Sequence, residues 1–332
     1  MAKVKIFIPT YQRNELLIRA LKSLMEQKFQ DWECVVHNDD PNDGFPKKII
    51  ESLNDPRFIF NQHRKNHGPV ATLNHMFDYS DADYLCLLED DNWWEDDFLS
   101  TMVAEMDNYP QFKVGYSDAN LWQELPDNNW QKLSKTIYQS NNSGIIKEIY
   151  FPNYKSIYRY NHSNCSLIIR NYKGIEELKV PENIRIDFIE AIRERAFFHP
   201  ILYVDKVLAN FALTLQTTRK QTMDGVYEHY LLLIDSFFNT VNINNGFVIE
   251  LWKGERKSNV RSFYRLLYAG IMCKNSRKLL RGATLSEWLL FFAYNLKHPL
   301  FLYHCLNAKK KYIDLWKYLT KHTAQRLYDN NR

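Results

Sequence analysis

Residues 84–94 of the chain read YLCLLEDDNWW, an apolar run that ends abruptly in three acids and two tryptophans. The apolar part, 84–88, has the length and composition of a buried parallel strand. In open α/β sheets, ligands bind at the carboxyl ends of the strands. Adjacent carboxylates there repel one another unless a cation offsets them, so Glu89, Asp90 and Asp91 indicate a divalent-metal site with oxygen ligands. The alternative is the acidic start of a helix, since further acids follow at 95–97.

Short apolar runs alternate with amphipathic periods on both sides of this stretch. We predict strands at 4–8, 32–37 and 58–60 before it, and at 112–117 and 165–170 after it. Amphipathic periods predict helices after Asn14, after Pro69 and from Phe98. Alternation of strands and helices at this spacing predicts an α/β fold with a parallel sheet.

Four segments, in this order, carry a resemblance to a known family. They are Ile8-Pro9-Thr10-Tyr11-Gln12-Arg13, Asn38-Asp39-Asp40-Pro41-Asn42-Asp43, Asn66-His67-Gly68 with Asn74, and Leu88-Glu89-Asp90-Asp91-Asn92-Trp93-Trp94. Together they resemble the family 2 glycosyltransferases of the GT-A fold. The resemblance implies a Rossmann-like, mixed but mostly parallel sheet flanked by helices. It also implies inverting transfer of a sugar from a nucleotide donor, with Mn²⁺ or Mg²⁺ on the diphosphate.

The resemblance weakens after the first hundred or so residues and ends near residue 215. The domains it implies are a GT-A domain at 1–217 and an α-helical, basic region at 218–332. Within the first domain, 1–118 would bind the nucleotide-sugar and 119–217 the acceptor. The family's Gln-x-x-Arg-Trp motif of processive polymerases is missing, which favours an enzyme that adds a single sugar.

The resemblance assigns roles to residues of the first two motifs. Thr10, Tyr11 and Arg13 match the loop that packs around the nucleotide base and ribose. Asp39 matches the second acid of an Asp-Asp pair and would accept a hydrogen bond from a uracil-type N–H; Asn38 replaces the first acid. A UDP-sugar is the favoured donor, although Asn38 widens the choice of base. The alternatives are that Tyr11 is a core aromatic and that Asp39 only bonds its own turn.

The later motifs supply the metal site and a further donor contact. Asp91 would be the metal ligand, and Asp90 would contact the ribose or sugar of the donor. Asn74 matches an asparagine that either contacts the donor or forms a structural hydrogen bond. The two tryptophans, Trp93 and Trp94, could pack the next helix, or one could offer a flat face to a sugar.

Asp187 is the predicted general base. It matches the family's acid at this point of the chain, and inverting transfer needs one carboxylate to take the proton of the attacking hydroxyl. The apolar positions 184, 188, 189 and 192 share one helical face, which points Asp187 away from the core. The alternative role is stabilisation of a helix start, and Glu182 and Glu190 are the neighbouring candidates.

Charge is distributed unevenly along the chain. From residue 250 onward there are 17 Lys and Arg against 5 Asp and Glu, although the whole chain is only +4. Basic residues beside aromatic and leucine residues predict helices that lie on an anionic membrane. A basic helical subdomain or a homo-oligomer interface is the equal alternative, and nucleic-acid binding is less favoured because no recognised module accompanies the charge.

Other features predict a cytoplasmic protein. It would be peripheral on the inner face of the membrane if those helices bind lipid. The sequence has neither a secretory signal nor an apolar run long enough to span a bilayer, and its five cysteines lack metal-ligand spacing. The histidines His37, His63, His67 and His75 show no helical pair with an acid, which argues against zinc.

The family resemblance implies transfer of a sugar to a glycan or lipid-linked acceptor, and the role in bacterial surface polysaccharide synthesis rests on that resemblance alone. Two other classes of protein share the sequence features on which this prediction rests. A nucleotide-sugar or glycan-binding protein could keep the fold without catalysis. A metal-dependent nucleotidyltransferase also uses acids on an α/β sheet, but it would release diphosphate from a nucleoside triphosphate.

Overall fold

The computed structural model describes residues 2–126, 129–215, 225–257 and 263–329. They form two compact units. The first comprises the described residues within Met1–Tyr150, His162–Lys179 and Phe197–Arg219, and the second those within Phe151–Asn161, Val180–Ala196 and Lys220–Arg332. The predicted domain boundary at 217/218 lies outside the described residues.

The first unit is built on one mixed sheet. Its described strands are β1 Val4–Thr10, β2 Trp32–Asn38, β3 Phe58–Gln62, β4 Tyr84–Leu87, β5 Trp93–Trp94, β6 Val114–Glu124, β7 Trp130–Thr136, β8 Ile146–Ile149, β9 Leu167–Arg170 and β10 Ile201–Leu213. The order is β3-β2-β1-β4-β9-β6-β10-β5, with β7 beside β6 and β8 beside β10. Strands β3, β2, β1 and β4 are mutually parallel, as are β6 and β10, whereas β9 runs antiparallel to both of its neighbours.

Four helices accompany this sheet: α1 Asn14–Met25, α2 Phe45–Leu53, α3 Pro69–Asn74 and α4 Phe98–Asn108. The predicted strands before residue 90 and the predicted starts of α1, α3 and α4 are confirmed. The nine-residue α2 was not predicted, because it buries only Pro46 and Ile50 and its apolar period is short. The two-residue β5, which pairs with β10, was not predicted either.

The core of the first unit follows from the apolar runs. All four residues of β4 are buried, as expected for a central strand covered on both faces. Leu17, Leu21 and Leu24 of α1 are buried in the same cluster. A Cβ at Gly115 of β6 would come within 2.9 Å of the sulfur of Met106 in α4, so glycine permits the close approach of helix and sheet.

The second unit is helical. Its described helices are α5 Ile189–Arg193, α6 Val226–Thr240, α7 Asn245–Arg256, α8 Tyr264–Met272, α9 Leu285–Lys297, α10 Pro299–Lys311 and α11 Ile313–Asp329. Pro299 is the first residue of α10, and His298 separates this helix from α9. The three lysines at 309–311 end α10, where their positive charge lies at the carbonyl end of the helix dipole.

A buried arginine ties segments of this unit together. The guanidinium of Arg195 is 1% exposed and donates to the backbone oxygens of Ser156, Ile157 and Leu233 and to the hydroxyl of Thr323. These hydrogen bonds satisfy a charge that burial would otherwise disfavour. No helix in the described part of the chain combines the length and the apolar character needed to cross a bilayer.

Candidate functional site

The candidate site lies at the carboxyl ends of three neighbouring parallel strands, β2, β1 and β4. Thr10 of β1 stands opposite Asn38 of β2 in the strand register, and the amide of Asp39 donates to the oxygen of Thr10 at 3.0 Å. On the other side of β1, the amide of Leu88 donates to the oxygen of Phe7 at 3.0 Å. The strand pairing therefore brings the first, second and fourth motifs to one edge of the sheet.

Arg13 joins the first loop to the acidic motif. Its Nη1 lies 2.6 Å from Oδ2 of Asp91 and 3.3 Å from Oδ1 of Asp90. Burial works against the positive charge of Arg13, but the two acids raise its pKa above the ordinary value. The repulsion expected between adjacent carboxylates is thus offset by a guanidinium from the same chain.

Asp90 is the more perturbed of the two acids. It is only 5% exposed, and burial, followed by the negative charge of Asp91, raises its pKa to about 7. Arg13 and Thr10 counter this rise without cancelling it. At neutral pH the site is therefore short of positive charge, and its carboxylate oxygens are the ligands that hard divalent cations prefer. These oxygen atoms fit such a cation, and the role of Asp91 as its ligand stays a prediction.

A second arginine, which the sequence analysis missed, supports the acidic turn. Arg19 of α1 donates to the backbone oxygen of Asp91 at 2.7 Å, and its guanidinium carbon lies 3.8 Å and 4.1 Å from the ring centroids of Trp93 and Trp130. Burial lowers its pKa to about 10, so it stays charged at neutral pH. Arginine between two aromatic faces is a cation–π arrangement that fixes the position of all three side chains.

The asparagine of the fourth motif anchors the turn to the far side of the sheet. Asn92 is 1% exposed; it donates to Oε2 of Glu89 at 2.9 Å and accepts from the amide of Ala212 in β10 at 2.9 Å. Asn92 therefore links the acidic turn to β10. This link uses both the donor and the acceptor of its side-chain amide.

Asp39 is enclosed by hydrogen-bond donors. Its Oδ1 accepts from the amide of His67 and from Nδ1 of His63, each at 2.8 Å, and its Oδ2 accepts from the amide of Gly68 at 2.8 Å. The alternative that Asp39 bonds only its own turn is wrong, because these donors come from the loop before α3. Asp39 thereby ties the end of β2 to the start of α3.

Asn38 lies beneath this loop and is fully buried. Its Nδ2 donates to the oxygen of Asp43 at 2.7 Å and to Oε1 of Gln62 at 3.1 Å, and its Oδ1 accepts from the amide of Asp40. A carboxylate could not donate these two hydrogen bonds. The departure from the Asp-Asp pair is thus explained by the local packing of the loop.

The remaining donor-side residues differ in exposure. Thr10 is buried at the end of β1, Asn74 is buried at the last position of α3, and Tyr11 is 37% exposed, so Tyr11 is not a core aromatic. The two tryptophans have different environments: Trp94 is buried and stacks on Phe98 at the start of α4, whereas Trp93 is half-buried beside Arg19.

Asp187 belongs to the second unit. It lies in a 3₁₀ turn, Ile186–Phe188, that leads directly into α5, and it is exposed and paired with the guanidinium of Arg185. The prediction that its helical face points away from the core is confirmed, since Phe188, Ile189 and Ile192 are buried. Its role as a general base stays a prediction.

Comparison with known protein families gives a match in the first unit of the chain. Residues 5–123 match the family model described as "Glycosyl transferase family 2". The chain is 32% identical over 109 residues to the GalNAc(5)-diNAcBac-PP-undecaprenol beta-1,3-glucosyltransferase of Campylobacter jejuni; the match covers 32% of this chain and 35% of that protein. It is 25% identical over 105 residues to the UDP-Glc:alpha-D-GlcNAc-diphosphoundecaprenol beta-1,3-glucosyltransferase WfgD of Escherichia coli, covering 31% and 40%. The chain thus spans well under half the length of these relatives.

Among solved structures, the fold resembles that of S. aureus TarS 1-349, crystallised in complex with UDP-GlcNAc. The TM-score is 0.59 at 16% identity, and the similarity covers 97% of this chain and 92% of TarS 1-349. At this identity the likeness concerns the fold. With the four motifs placed at one sheet edge, residues 5–123 match the family 2 glycosyltransferases, and the fold is that of GT-A glycosyltransferase structures.

Proposed function

We propose that the protein is an inverting glycosyltransferase that moves a sugar from a nucleotide-diphosphate donor to a hydroxyl group of a glycan or lipid-linked acceptor. The observation that carries this proposal is the contact of Arg13 with Asp90 and Asp91, which joins the nucleotide loop to the acidic motif. The two named relatives are glucosyltransferases whose names include undecaprenol-linked diphosphates. They support a role in bacterial surface polysaccharide or glycolipid synthesis, with a UDP-sugar as the favoured donor.

Each donor-side residue has a task in this proposal. Tyr11 offers an exposed aromatic face to the base, and Thr10 and Arg13 border the ribose and diphosphate. Asp39 keeps a carboxylate at the base-binding edge; its present partners occupy three acceptor positions of the roughly four that a carboxylate has. Asn74 and Asp90 would contact the donor from the other side of the loop.

Asp91 would hold a divalent cation, Mn²⁺ or Mg²⁺, with diphosphate oxygens completing the shell. When bound, the cation offsets the negative charge that develops on the leaving diphosphate. Arg13 adds positive charge at the same place from the protein itself. Electrostatic stabilisation of this kind is commonly the largest single contribution to such transfers.

Asp187 would take the proton of the acceptor hydroxyl as its oxygen attacks the anomeric carbon. Its exposed carboxylate is held by Arg185, so the acid is oriented before the acceptor arrives. One carboxylate is sufficient for this chemistry because inversion proceeds by a single displacement.

We further propose that the protein acts at the cytoplasmic face of the membrane, which it contacts through α9. Leu285, Leu289, Phe292 and Leu296 are spaced four, three and four residues apart, and each is more than half exposed; Leu296 reaches 85%. This α9 stripe is an apolar face on a strongly basic region, the combination that enters the headgroup boundary of anionic lipid.

The donor site is tested by titration calorimetry with UDP, GDP and dTDP, each with and without Mn²⁺. We expect one nucleotide to bind in a metal-dependent way and Asp91→Ala to abolish the metal dependence. An exposed acid of the same segment, Asp96, gives the matched control Asp96→Ala, which should bind as the wild type does. Failure of all three nucleotides under both conditions would remove the donor-site assignment.

The reaction class is tested by the products formed from a nucleotide-sugar and a polyprenyl-diphosphate-linked glycan. A glycosyltransferase releases a nucleoside diphosphate, whereas a nucleotidyltransferase given a nucleoside triphosphate releases inorganic diphosphate. A binding protein would give neither product while still binding nucleotide. The lipid contact is tested by sedimentation with anionic and zwitterionic vesicles, and dimerisation of the free protein through the α9 stripe would contradict it.

A further inference from the structure

Three histidines that are far apart in the sequence meet beneath the Asp39 loop. His37 is the penultimate residue of β2, His63 follows β3, and His75 follows α3. His37 and His63 are buried, at 6% and 5% exposure, and His75 is half-buried. One ring nitrogen of each histidine lies within 4.8 Å of a ring nitrogen of each of the others. The cluster therefore brings together β2, the end of β3 and the end of α3.

The outer nitrogens of two of these rings are held by carboxylates. Nδ1 of His63 lies 2.8 Å from Oδ1 of Asp39, and Nδ1 of His75 lies 2.7 Å from Oδ2 of Asp78. In each ring this leaves Nε2 for another partner. A carboxylate that fixes the tautomer and orientation of a histidine is the usual second layer of a protein metal site.

One pair of ring nitrogens already lies at hydrogen-bond distance. Nδ1 of His37 is 3.1 Å from Nε2 of His63 and 3.2 Å from the amide nitrogen of Asn61. With its Nδ1 proton facing Asp39, His63 turns the lone pair of Nε2 toward His37. A cation between these two nitrogens would take the lone pair of each, and the Asn61 amide would then give up its hydrogen bond to His37.

The distance between His37 and His63 and the charges around the cluster suit such a cation. Two nitrogens at 2.0–2.1 Å from one tetrahedral zinc ion are about 3.3 Å apart, close to the 3.1 Å between His37 and His63. Asp39 and Asp78 supply negative charge, which Lys179 offsets in part at 2.6 Å from Asp78.

The sequence argued against zinc because these histidines form no helical pair with an acid, but the fold brings them together from three segments. We propose that His37, His63 and His75 bind a divalent transition metal of the zinc class, with Asp39 and Asp78 orienting the ligands. Imidazole nitrogens favour zinc, copper or nickel over the manganese or magnesium expected at Asp91, whose ligands are oxygens. The ion would cross-link β2, the end of β3 and the end of α3, and so fix the loop that carries Asp39. This site is structural and does not depend on the proposed transfer reaction.

The test uses the full chain without a histidine tag. After treatment with a chelator and desalting, wild-type protein should bind one equivalent of Zn²⁺ and should give the visible absorption of tetrahedral Co²⁺, displaced by Zn²⁺. The Asp91→Asn variant should bind equally, which separates this site from the acidic motif. Thermal unfolding of the wild type should shift upward with Zn²⁺, because a ligand of the folded state stabilises it.

Two variants locate the ion. His75→Ala should lose stoichiometric binding, the Co²⁺ absorption and the Zn²⁺-dependent thermal shift, while His304→Ala, which removes an exposed histidine of α10, should keep all three. Asp78→Asn should weaken binding by about 10–100-fold, the effect expected from removing a second-layer carboxylate. Absence of stoichiometric binding in the wild type, or unchanged binding in a folded His75→Ala protein, would overturn the proposal.

Discussion

The perturbed acid Asp90 gives a prediction that can be worked through quantitatively. Its side chain is buried beside Asp91, and its pKa is about 7 against an ordinary 3.8. Between these two values the folded protein holds a proton on Asp90 that the unfolded chain has released. Stability therefore falls as pH rises through this window, and the loss is complete above about pH 7.

Asp90→Asn removes this titration while keeping the shape of the side chain. At about 1.4 kcal/mol per pKa unit, the wild type should lose about 3 kcal/mol relative to the variant between pH 5 and pH 8. Arg13 keeps its 2.6 Å contact with Asp91 in the variant, so the guanidinium is not left alone. We expect the variant to be the more stable protein at pH 8.

The assay is urea unfolding of both proteins at half-unit steps from pH 5 to pH 8, with chelator present. Taking the difference between the two proteins cancels the titration of the histidines. The control Asp96→Asn, which changes an exposed acid of the same segment, should follow the wild type at each pH. A difference between wild type and Asp90→Asn that stays constant from pH 5 to pH 8 would refute the assignment of a raised pKa to Asp90.

Three further predictions concern other parts of the chain. Asn38→Asp should lower the free energy of unfolding by about 1–3 kcal/mol in urea titrations, although it restores the family's acid, because two donated hydrogen bonds, one to Gln62, are replaced by facing acceptors. Asp187→Asn should lower turnover by at least about a hundredfold while the affinity for nucleotide in calorimetry changes less than twofold. Leu289→Glu should weaken sedimentation with anionic vesicles, whereas Ser286→Glu, with the same charge off the α9 stripe, should not; equal effects would contradict docking through the stripe.

The polar residues at the sheet edge could be predicted from sequence because each directly follows the strand that positions it. A buried parallel strand is a continuous apolar run, and the polar residues that follow it must lie at its carboxyl end. The runs before Thr10, Asp39 and Asp90 each had this form. Thr10, Asp39 and Asp90 then meet at one site because β2, β1 and β4 are neighbours, as the family resemblance implied.

Contacts between distant side chains could not be predicted in this way. Nothing in the sequence places Arg19 between Trp93 and Trp130, since they come from a helix, a two-residue strand and a hairpin strand that meet only in the folded sheet. The histidine cluster is hidden for the same reason: His37 and His75 are 38 positions apart with no common period. The sequence shows only that Asn38 stands where the family has an acid. Its two donated hydrogen bonds, which require an amide, are visible only in the structure.

The contact of Arg13 with both acids affects how tightly a cation can bind to them. Arg13 is a tethered counter-ion, so it is always present at the acids at a high effective concentration. An incoming metal must compete with it, and the affinity for metal alone is weakened accordingly. A diphosphate that draws the guanidinium toward itself would release the acids for the metal, so that nucleotide and metal each strengthen the binding of the other.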